Sequence, residues 1–441
     1  MKREIISQRQ LFAAPAPERR VDLDWVRIAA FGLLILYHVG MLYVSWGFHI
    51  KSIHRITALE PLMLVLNPWR LALLFLVSGA ATRFMLGKLE AGQLLRSRSL
   101  RLLPPLLFGM LVVVPPQSYV QILESLGYQG GFLDFYLKHY LAFGVQFCDP
   151  GPCLLLPTWN HLWFVAYLWV YTMILGAVLL VVPDLGRRFE QAMALLLGGR
   201  WLLVLPAAMF AFYRLLLLPR FPQTHAMTGD WYDHALYGTV FLLGFFIART
   251  DGVWVALQRW RWSAFAVAAL LFVSGLGLVL HAFYPIGQPA PLAVKIYAGT
   301  AYGCYQWCCI VAVLGFAGRW LNRDSAARRY LTDAVFPYYI VHQTAIILIA
   351  HQLKGLGLTA PVEATIVVAG TVASCALTYE IVRRVRVLRP LFGLKIGIPF
   401  GTPYAPSGLP RLECDRPASP GGEGSDGGGM GSPGQSLVGS R

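Results

Sequence analysis

Residues 21–46 read "VDLDWVRIAAFGLLILYHVGMLYVSW", and they form the first stretch of the chain long and apolar enough to cross a bilayer. The stretch nevertheless carries Asp24, Arg27 and His38, which a lipid-facing helix would normally exclude. An ionisable side chain at bilayer depth costs roughly 2.5–3.5 kcal/mol, so such residues usually face a bundle interior or a water-filled cavity. The stretch therefore predicts a transmembrane helix with a functional inner face.

The rest of the chain has the same apolar character. Of its 441 residues, 56% are hydrophobic and 13% are charged, whereas soluble proteins average about 25% charged residues. Ten apolar stretches predict an all-α, polytopic membrane helix bundle of about ten transmembrane helices. Their approximate bounds are 22–46, 62–86, 100–121, 160–182, 201–218, 232–249, 263–284, 292–316, 334–352 and 362–383.

The distribution of Lys and Arg predicts the orientation of these spans. An even number of spans puts both termini on one side, and 25 Lys and Arg residues lie on that side against six on the other. Cytoplasmic loops carry this excess, so both termini are predicted to be cytoplasmic. The net charge of +15 is then a determinant of topology. We therefore expect the lipid bilayer as a partner and no nucleic acid.

Three regions follow from this pattern. We expect a cytoplasmic N-terminal segment at 1–20, a transmembrane domain at 21–396 and a disordered cytoplasmic tail at 397–441, which is rich in Gly, Pro and Ser. Cys148 and Cys153 lie in a loop predicted to be external, where either a disulfide or two free thiols would be possible. The cysteines that lie within the predicted spans lack neighbouring His or carboxylate ligands, so no metal site is predicted.

The spacing of the ionisable residues in the first span indicates one shared face. Eleven residues separate Arg27 from His38, a rotation of roughly three turns plus 20°, and a rise of about 16 Å. Asp24 precedes Arg27 by one turn, a spacing that permits an ion pair. Imidazole is a natural base near neutral pH, and Arg is a natural phosphate ligand. The alternative for His38 is a packing or hydrogen-bonding role.

With these residues in view, the Asp-x-x-Arg-x10-His pattern of residues 24–38 resembles the acyltransferase 3 family of membrane O-acyltransferases. Further segments resemble the family's motifs in the family's order, and together the resemblance spans roughly residues 20–396. The end of the bundle resembles the branch of the glucan-biosynthesis protein C succinyltransferases. These segments are "LFLVSG" (74–79), "RSLRLLPPLL" (98–107), "HLWFVAYLWVY" (161–171), "VFPYYIVHQ" (335–343) and "LTYEIVRRVRVLRPLFGLK" (377–395).

The resemblance implies an enzyme that transfers an acyl group, acetyl or succinyl, to a hydroxyl of an extracytoplasmic glycan or related acceptor. It implies acyl-CoA as a cytoplasmic cosubstrate, no tightly bound cofactor, and a multi-pass location in the bacterial inner membrane. His38 would act as general base or would carry the acyl group covalently. His342 would assist it or form a structural hydrogen bond.

The remaining candidates concern substrate binding. Arg98 and Arg101, with Arg96 and Lys88 nearby, form a cationic cluster that could hold the CoA phosphates, although Lys88 and Arg96 also fit a purely topological role. The candidate substrate-binding residues are Arg70, Ser78, His161 and Trp163. Arg70 would bind an anionic acyl carboxylate or extend to the surface. Ser78 fits helix packing better than a nucleophile, and Trp163 fits an interfacial aromatic belt or a sugar contact.

Two other function classes compete with the enzyme. A transporter or flippase for a lipid-linked or anionic substrate would also bury Arg27 and His38, but it would not need CoA. A structural or regulatory membrane protein would have little reason to bear the cost of three aligned ionisable residues.

Overall fold

A computed structural model describes residues 20–147, 154–281 and 291–395. Almost all of the regular structure in these ranges is helical, as the composition predicts. A short antiparallel hairpin, β1 (Gly144–Phe147) and β2 (Leu154–Leu156), is the exception. The predicted segment 1–20, apart from its last residue, the predicted tail 397–441, and the pair Cys148 and Cys153 lie outside the described residues, so those predictions stay open.

Fourteen α-helices make up the described part of the chain. They are α1 (Val21–Gly40), α2 (Glu60–Leu66), α3 (Arg70–Leu86), α4 (Ala91–Phe108), α5 (Pro115–Leu126), α6 (Phe132–Lys138), α7 (Trp163–Val181), α8 (Leu185–Leu197), α9 (Trp201–Leu216), α10 (Trp231–Ile247), α11 (Asp251–His281), α12 (Leu292–Trp320), α13 (Ala326–Leu353) and α14 (Ala360–Arg384).

The predicted polytopic helix bundle is confirmed. Within the described residues, eight helical segments are long and apolar enough to cross a membrane, or nine if the bent pair α8–α9 is one span. Each of the ten predicted spans overlaps a helix, but α8 and α9 meet at 104°, and α10 has only 17 residues. The number of ten and the cytoplasmic termini therefore stay predictions.

The helix α1 lies against α3, α12 and α13. It runs parallel to α13, because Asp24, Arg27 and His38 contact successive positions of that helix, Arg328, Thr332 and His342. The prediction that Asp24, Arg27 and His38 share one face of α1 is thus confirmed. This face is turned toward the protein interior.

The second span is interrupted in its N-terminal part. The helix α2 ends at Leu66, and α3 begins at Arg70, with three turn residues between them. The sequence Asn67-Pro68 favours such a break, because Asn-Pro is a typical turn dipeptide. Interrupted backbone at membrane depth is tolerated where it is buried in protein or lines a cavity. The break brings Asn67, Pro68 and Arg70 to the cavity described below.

Helix α3, the longer part of this span, packs at very close range against α10. A β-carbon on Gly79 would lie 1.9 Å from the Phe241 carbonyl oxygen, and one on Gly244 would lie 2.0 Å from the Leu76 carbonyl oxygen. Only glycine permits this approach of two backbones. The crossing fixes α3, and with it the position of Arg70.

Candidate active site

A cavity of about 480 Å³ lies at the C-terminal end of α1. Its walls come from α1, α3, α7, α10, α12 and α13 and from the connections 41–56 and 217–230. The four histidines that line it are His38, His49, His161 and His225, and Arg70 adds a cation. A polar cavity inside an apolar bundle is where ionisable intramembrane residues are expected to act.

His38 and His342 form a hydrogen-bonded pair at this cavity. His38 Nδ1 lies 2.8 Å from His342 Nε2, and His342 Nδ1 lies 2.7 Å from the Tyr339 carbonyl oxygen. A carbonyl oxygen only accepts, so His342 Nδ1 carries a proton and, in the neutral ring, Nε2 is an acceptor. His38 must then donate from Nδ1. The Nε2 of His38 therefore keeps a lone pair that can accept a proton.

His161 stands beside this pair. The His161 and His342 rings meet edge to face with centroids 5.0 Å apart. His161 Nε2 lies 3.1 Å from the Ile340 carbonyl oxygen and donates to it, so in the neutral ring Nδ1 is an acceptor. Within the described residues, this buried Nδ1 has no hydrogen-bond partner. His161 thus carries a buried acceptor next to the histidine pair.

A network of amides holds the adjoining wall. Gln343 donates to His49 Nε2 at 2.9 Å and to the Gln117 side-chain oxygen at 3.0 Å, and Asn160 donates to the same oxygen at 3.1 Å. His49 in turn donates from Nδ1 to Gln121 at 2.6 Å. Burial lowers the pKa of His49, so it is a neutral member of this network. The network fixes one side of the cavity without adding charge.

The connection between α9 and α10 forms the opposite wall. His225 stacks on Trp163 with ring centroids 4.0 Å apart, and both line the cavity. The buried Asp230 carboxylate accepts from the backbone N–H of His225 at 2.9 Å and from the Tyr167 hydroxyl at 2.6 Å. Burial lowers the pKa of His225 to about 4. This connection is therefore anchored, and it presents a neutral aromatic surface.

The opposite end of α1 carries paired charges. Arg328, which is 2% exposed, forms ion pairs with Asp24 and, at 2.8 Å, with Asp324. Arg27 donates from Nη2 to the Thr332 carbonyl at 3.0 Å. Asp24 and Arg27 thus belong to the contact between α1 and α13. They are separated from His38 by the length of the helix.

The predicted cationic cluster divides into a buried part and an exposed part. Arg98 is buried and donates to the Thr82 hydroxyl at 2.7 Å, and the charges of Arg27 and Arg101 act on it electrostatically. Arg101, Arg96 and Lys88 are exposed. The charges of Arg27 on α1 and of Arg98 and Arg101 on α4 therefore lie close enough to act on each other.

The remaining two sequence candidates differ in position. Arg70 lines the cavity and is 4% exposed, so it does not extend to the surface. Ser78 does not line the cavity, and it lies in α3 next to the close crossing at Gly79.

A second cavity, of about 180 Å³, runs along α1 from Ile28 to Ile35 and reaches His342. Helices α13 and α14 complete its apolar walls. At Gly32, which lines it, an added β-carbon would meet no heavy atom within 4 Å. The cavity thus lies beside the middle of α1, between Arg27 and the histidine pair.

The geometry can be compared with known proteins. The family model Acyl_transf_3, which is described as "Acyltransferase domain", matches residues 20–380. The chain belongs to the acyltransferase 3 family. It is a multi-pass membrane acyltransferase. No curated protein and no solved structure matches the chain significantly.

Several residues of this candidate site were not predicted from the sequence. Tyr339 acts through its backbone carbonyl, which has no sequence signal. Arg328 looks like one more positive charge near a membrane surface. His225 lies in a loop, where neither periodicity nor hydropathy marks it. Asn67 could have been found, because an Asn-Pro pair inside an apolar span indicates a break.

Proposed function

We propose that this membrane acyltransferase moves an acetyl or succinyl group from cytoplasmic acyl-CoA to a hydroxyl of an extracytoplasmic glycan or related acceptor in the bacterial inner membrane. The observation that carries the proposal is the hydrogen-bond chain from the Tyr339 carbonyl through His342 to His38. It leaves the Nε2 lone pair of His38 available in a cavity large enough for a sugar unit. That arrangement suits a general base.

The reaction balances with His38 alone as the proton carrier. His38 Nε2 takes the proton of the acceptor hydroxyl, while the hydroxyl oxygen attacks the carbonyl carbon of the thioester. The new C–O bond forms, the C–S bond breaks, and the CoA thiolate takes the proton from His38. His342 exchanges no proton with the substrates in this scheme, and its role is positioning: it holds Nδ1 of His38 protonated and directs Nε2 outward.

The inner half of α1 suits the donor. Arg27, Arg98 and Arg101 provide guanidinium groups that match the CoA phosphates. The second cavity lies along α1 from Ile28 to Ile35 and reaches His342, which supports a path for the thioester arm. On this view Asp24 acts through Arg328 and not on the substrates.

Binding and turnover separate these roles. Purified wild type, His38→Gln and Arg98→Gln would be compared for CoA binding by calorimetry. The release of CoA from acetyl-CoA and succinyl-CoA would be followed with candidate glycans. We expect His38→Gln to bind CoA normally and to turn over about 10²–10⁴-fold more slowly. Arg98→Gln should weaken CoA binding about tenfold.

The donor assignment is overturned if the wild type does not bind CoA and if Arg98→Gln behaves like the wild type. A transporter for an anionic substrate would then be the better account. Unchanged turnover in His38→Gln would overturn the role of His38 while leaving the donor assignment intact.

A further inference from the structure

Arg70 is a buried cation at the wall of the cavity. It is 4% exposed, and no carboxylate of the described residues forms an ion pair with it. Its Nη1 donates to the Asn67 side-chain oxygen at 3.1 Å, while its Nε is buried without a hydrogen-bond partner in the described part of the chain. A guanidinium remains protonated in proteins. Its charge is therefore left without an opposite charge.

The surroundings of Arg70 hold it in place without neutralising it. Its guanidinium carbon lies 3.4 Å from the centre of the Tyr37 ring. The Tyr37 hydroxyl donates to Asn67 at 3.0 Å, so Asn67 fixes both residues. The cation–π contact stabilises the desolvated charge, but by less than the burial of an ion costs.

The position of Arg70 in the fold also favours an anion. Arg70 is the first residue of the 17-residue helix α3, and the N-terminus of a helix carries a partial positive charge. The charge of the side chain and the helix dipole thus act in the same direction.

Arg70 is close to the reacting group. Its guanidinium carbon is 3.4 Å from the Tyr37 ring centre, which is 6.1 Å from the His38 ring centre. The distance from the guanidinium carbon of Arg70 to the His38 ring centre is therefore no greater than the sum of these two lengths. A negative group a few bonds away from an acyl carbon or a hydroxyl at His38 would reach it.

We propose that Arg70, held by Tyr37 and Asn67, is a carboxylate-binding subsite of the acyl-transfer cavity. The proposal rests on the proposed function. The carboxylate belongs either to a dicarboxylic acyl group on the donor or to an acidic sugar of the acceptor. Either one supplies the opposite charge that Arg70 lacks, and the planar guanidinium matches its two oxygens.

Binding measurements test the subsite without requiring turnover. Dissociation constants would be measured for succinyl-CoA against acetyl-CoA, and for methyl glucuronoside against methyl glucoside. The proteins are wild type, Arg70→Gln, Arg70→Lys and the control Arg220→Gln. Arg220 is an exposed cation that donates to the Leu216 carbonyl at 2.8 Å.

In wild type, we expect one of the two pairs to show a preference of about tenfold or more for the acidic member, because hydrogen bonds to charged groups are worth about 1.5–3 kcal/mol. Arg70→Gln should abolish this preference. Arg70→Lys should retain part of it, and Arg220→Gln all of it. A preference in the donor pair identifies the acyl carboxylate, and one in the acceptor pair identifies the acidic sugar.

Equal binding of acidic and neutral members by wild type, or a preference that survives in Arg70→Gln, would overturn the subsite. The turnover of His38→Gln, measured separately, decides the proposed function. Loss of the subsite with turnover still dependent on His38 would therefore remove this inference alone.

Discussion

The two ends of α1 use polar residues in opposite ways. At the Arg27 end, Asp24 pairs with Arg328, so opposite charges compensate each other across α1 and α13. At the His38 end, imidazoles and backbone carbonyls form neutral hydrogen bonds and leave a lone pair at the cavity. Paired charges fix helices relative to each other, whereas unused acceptors interact with substrates. The comparison favours a structural role for Asp24 and a chemical role for His38.

The largest expected effect is on stability at the Arg27 end. Arg328→Met removes the buried member of the ion pair with Asp24, and breaking a buried ion pair costs about 3–5 kcal/mol. We expect a strongly lowered Tm in detergent, with kcat per folded molecule close to wild type. The matched change Arg329→Met, at an exposed neighbour that also pairs with Asp324, should barely alter the Tm. A folded Arg328→Met protein with strongly reduced kcat would break the comparison.

At the other end of α1, the next effect concerns rate and not stability. His342→Leu removes the acceptor for His38 Nδ1, so we expect kcat to fall about 10²-fold while CoA binding is kept. His342→Gln can restore an acceptor oxygen and should recover part of the rate. Equal losses for Leu and Gln would argue against an orienting hydrogen bond.

These two ends were predictable from the sequence to different degrees. The helical period of α1 predicted that Asp24, Arg27 and His38 share a face, because a rotation of 100° per residue depends only on spacing. Their partners on α13 required the tertiary structure, since neither a backbone carbonyl nor a charge like Arg328 has a distinctive pattern. His342 was predicted only through the family resemblance.

The fold shows the same division. Hydropathy located helices under all ten predicted spans, because the bilayer demands long apolar stretches. It did not predict the 104° bend between α8 and α9, since a bend depends on packing. It also did not predict the break before Arg70, which creates the wall of the cavity.

A smaller effect is expected at the second cavity, the proposed path of the donor beside α1. Gly32→Phe would fill the second cavity, and we expect about a tenfold loss in kcat/KM for acyl-CoA, the effect of one lost contact of about 1.4 kcal/mol. Gly47→Phe is the matched control. An added β-carbon at Gly47 also meets open space, and Gly47 lines neither cavity. A normal kcat/KM in Gly32→Phe would exclude this donor path.

The smallest effect is a pH dependence of stability. The pKa of His225 is about 4, below the ordinary value of 6.5, so the unfolded chain binds a proton more readily between these values. Stability from this group is complete above about pH 6.5 and is lost as the pH falls toward 4. We expect the Tm to decrease over this range, and less so in His225→Gln. An identical decrease in both proteins would show that His225 does not contribute.

The most direct test of the account is the kcat of the double variant His38→Gln/His342→Leu compared with both single variants. If His342 acts only by orienting His38, its removal has no further effect once His38 is gone, and the double variant should be as slow as His38→Gln alone. Losses that multiply would show that His342 contributes independently, and they would contradict the proposed chain from Tyr339 to the substrate.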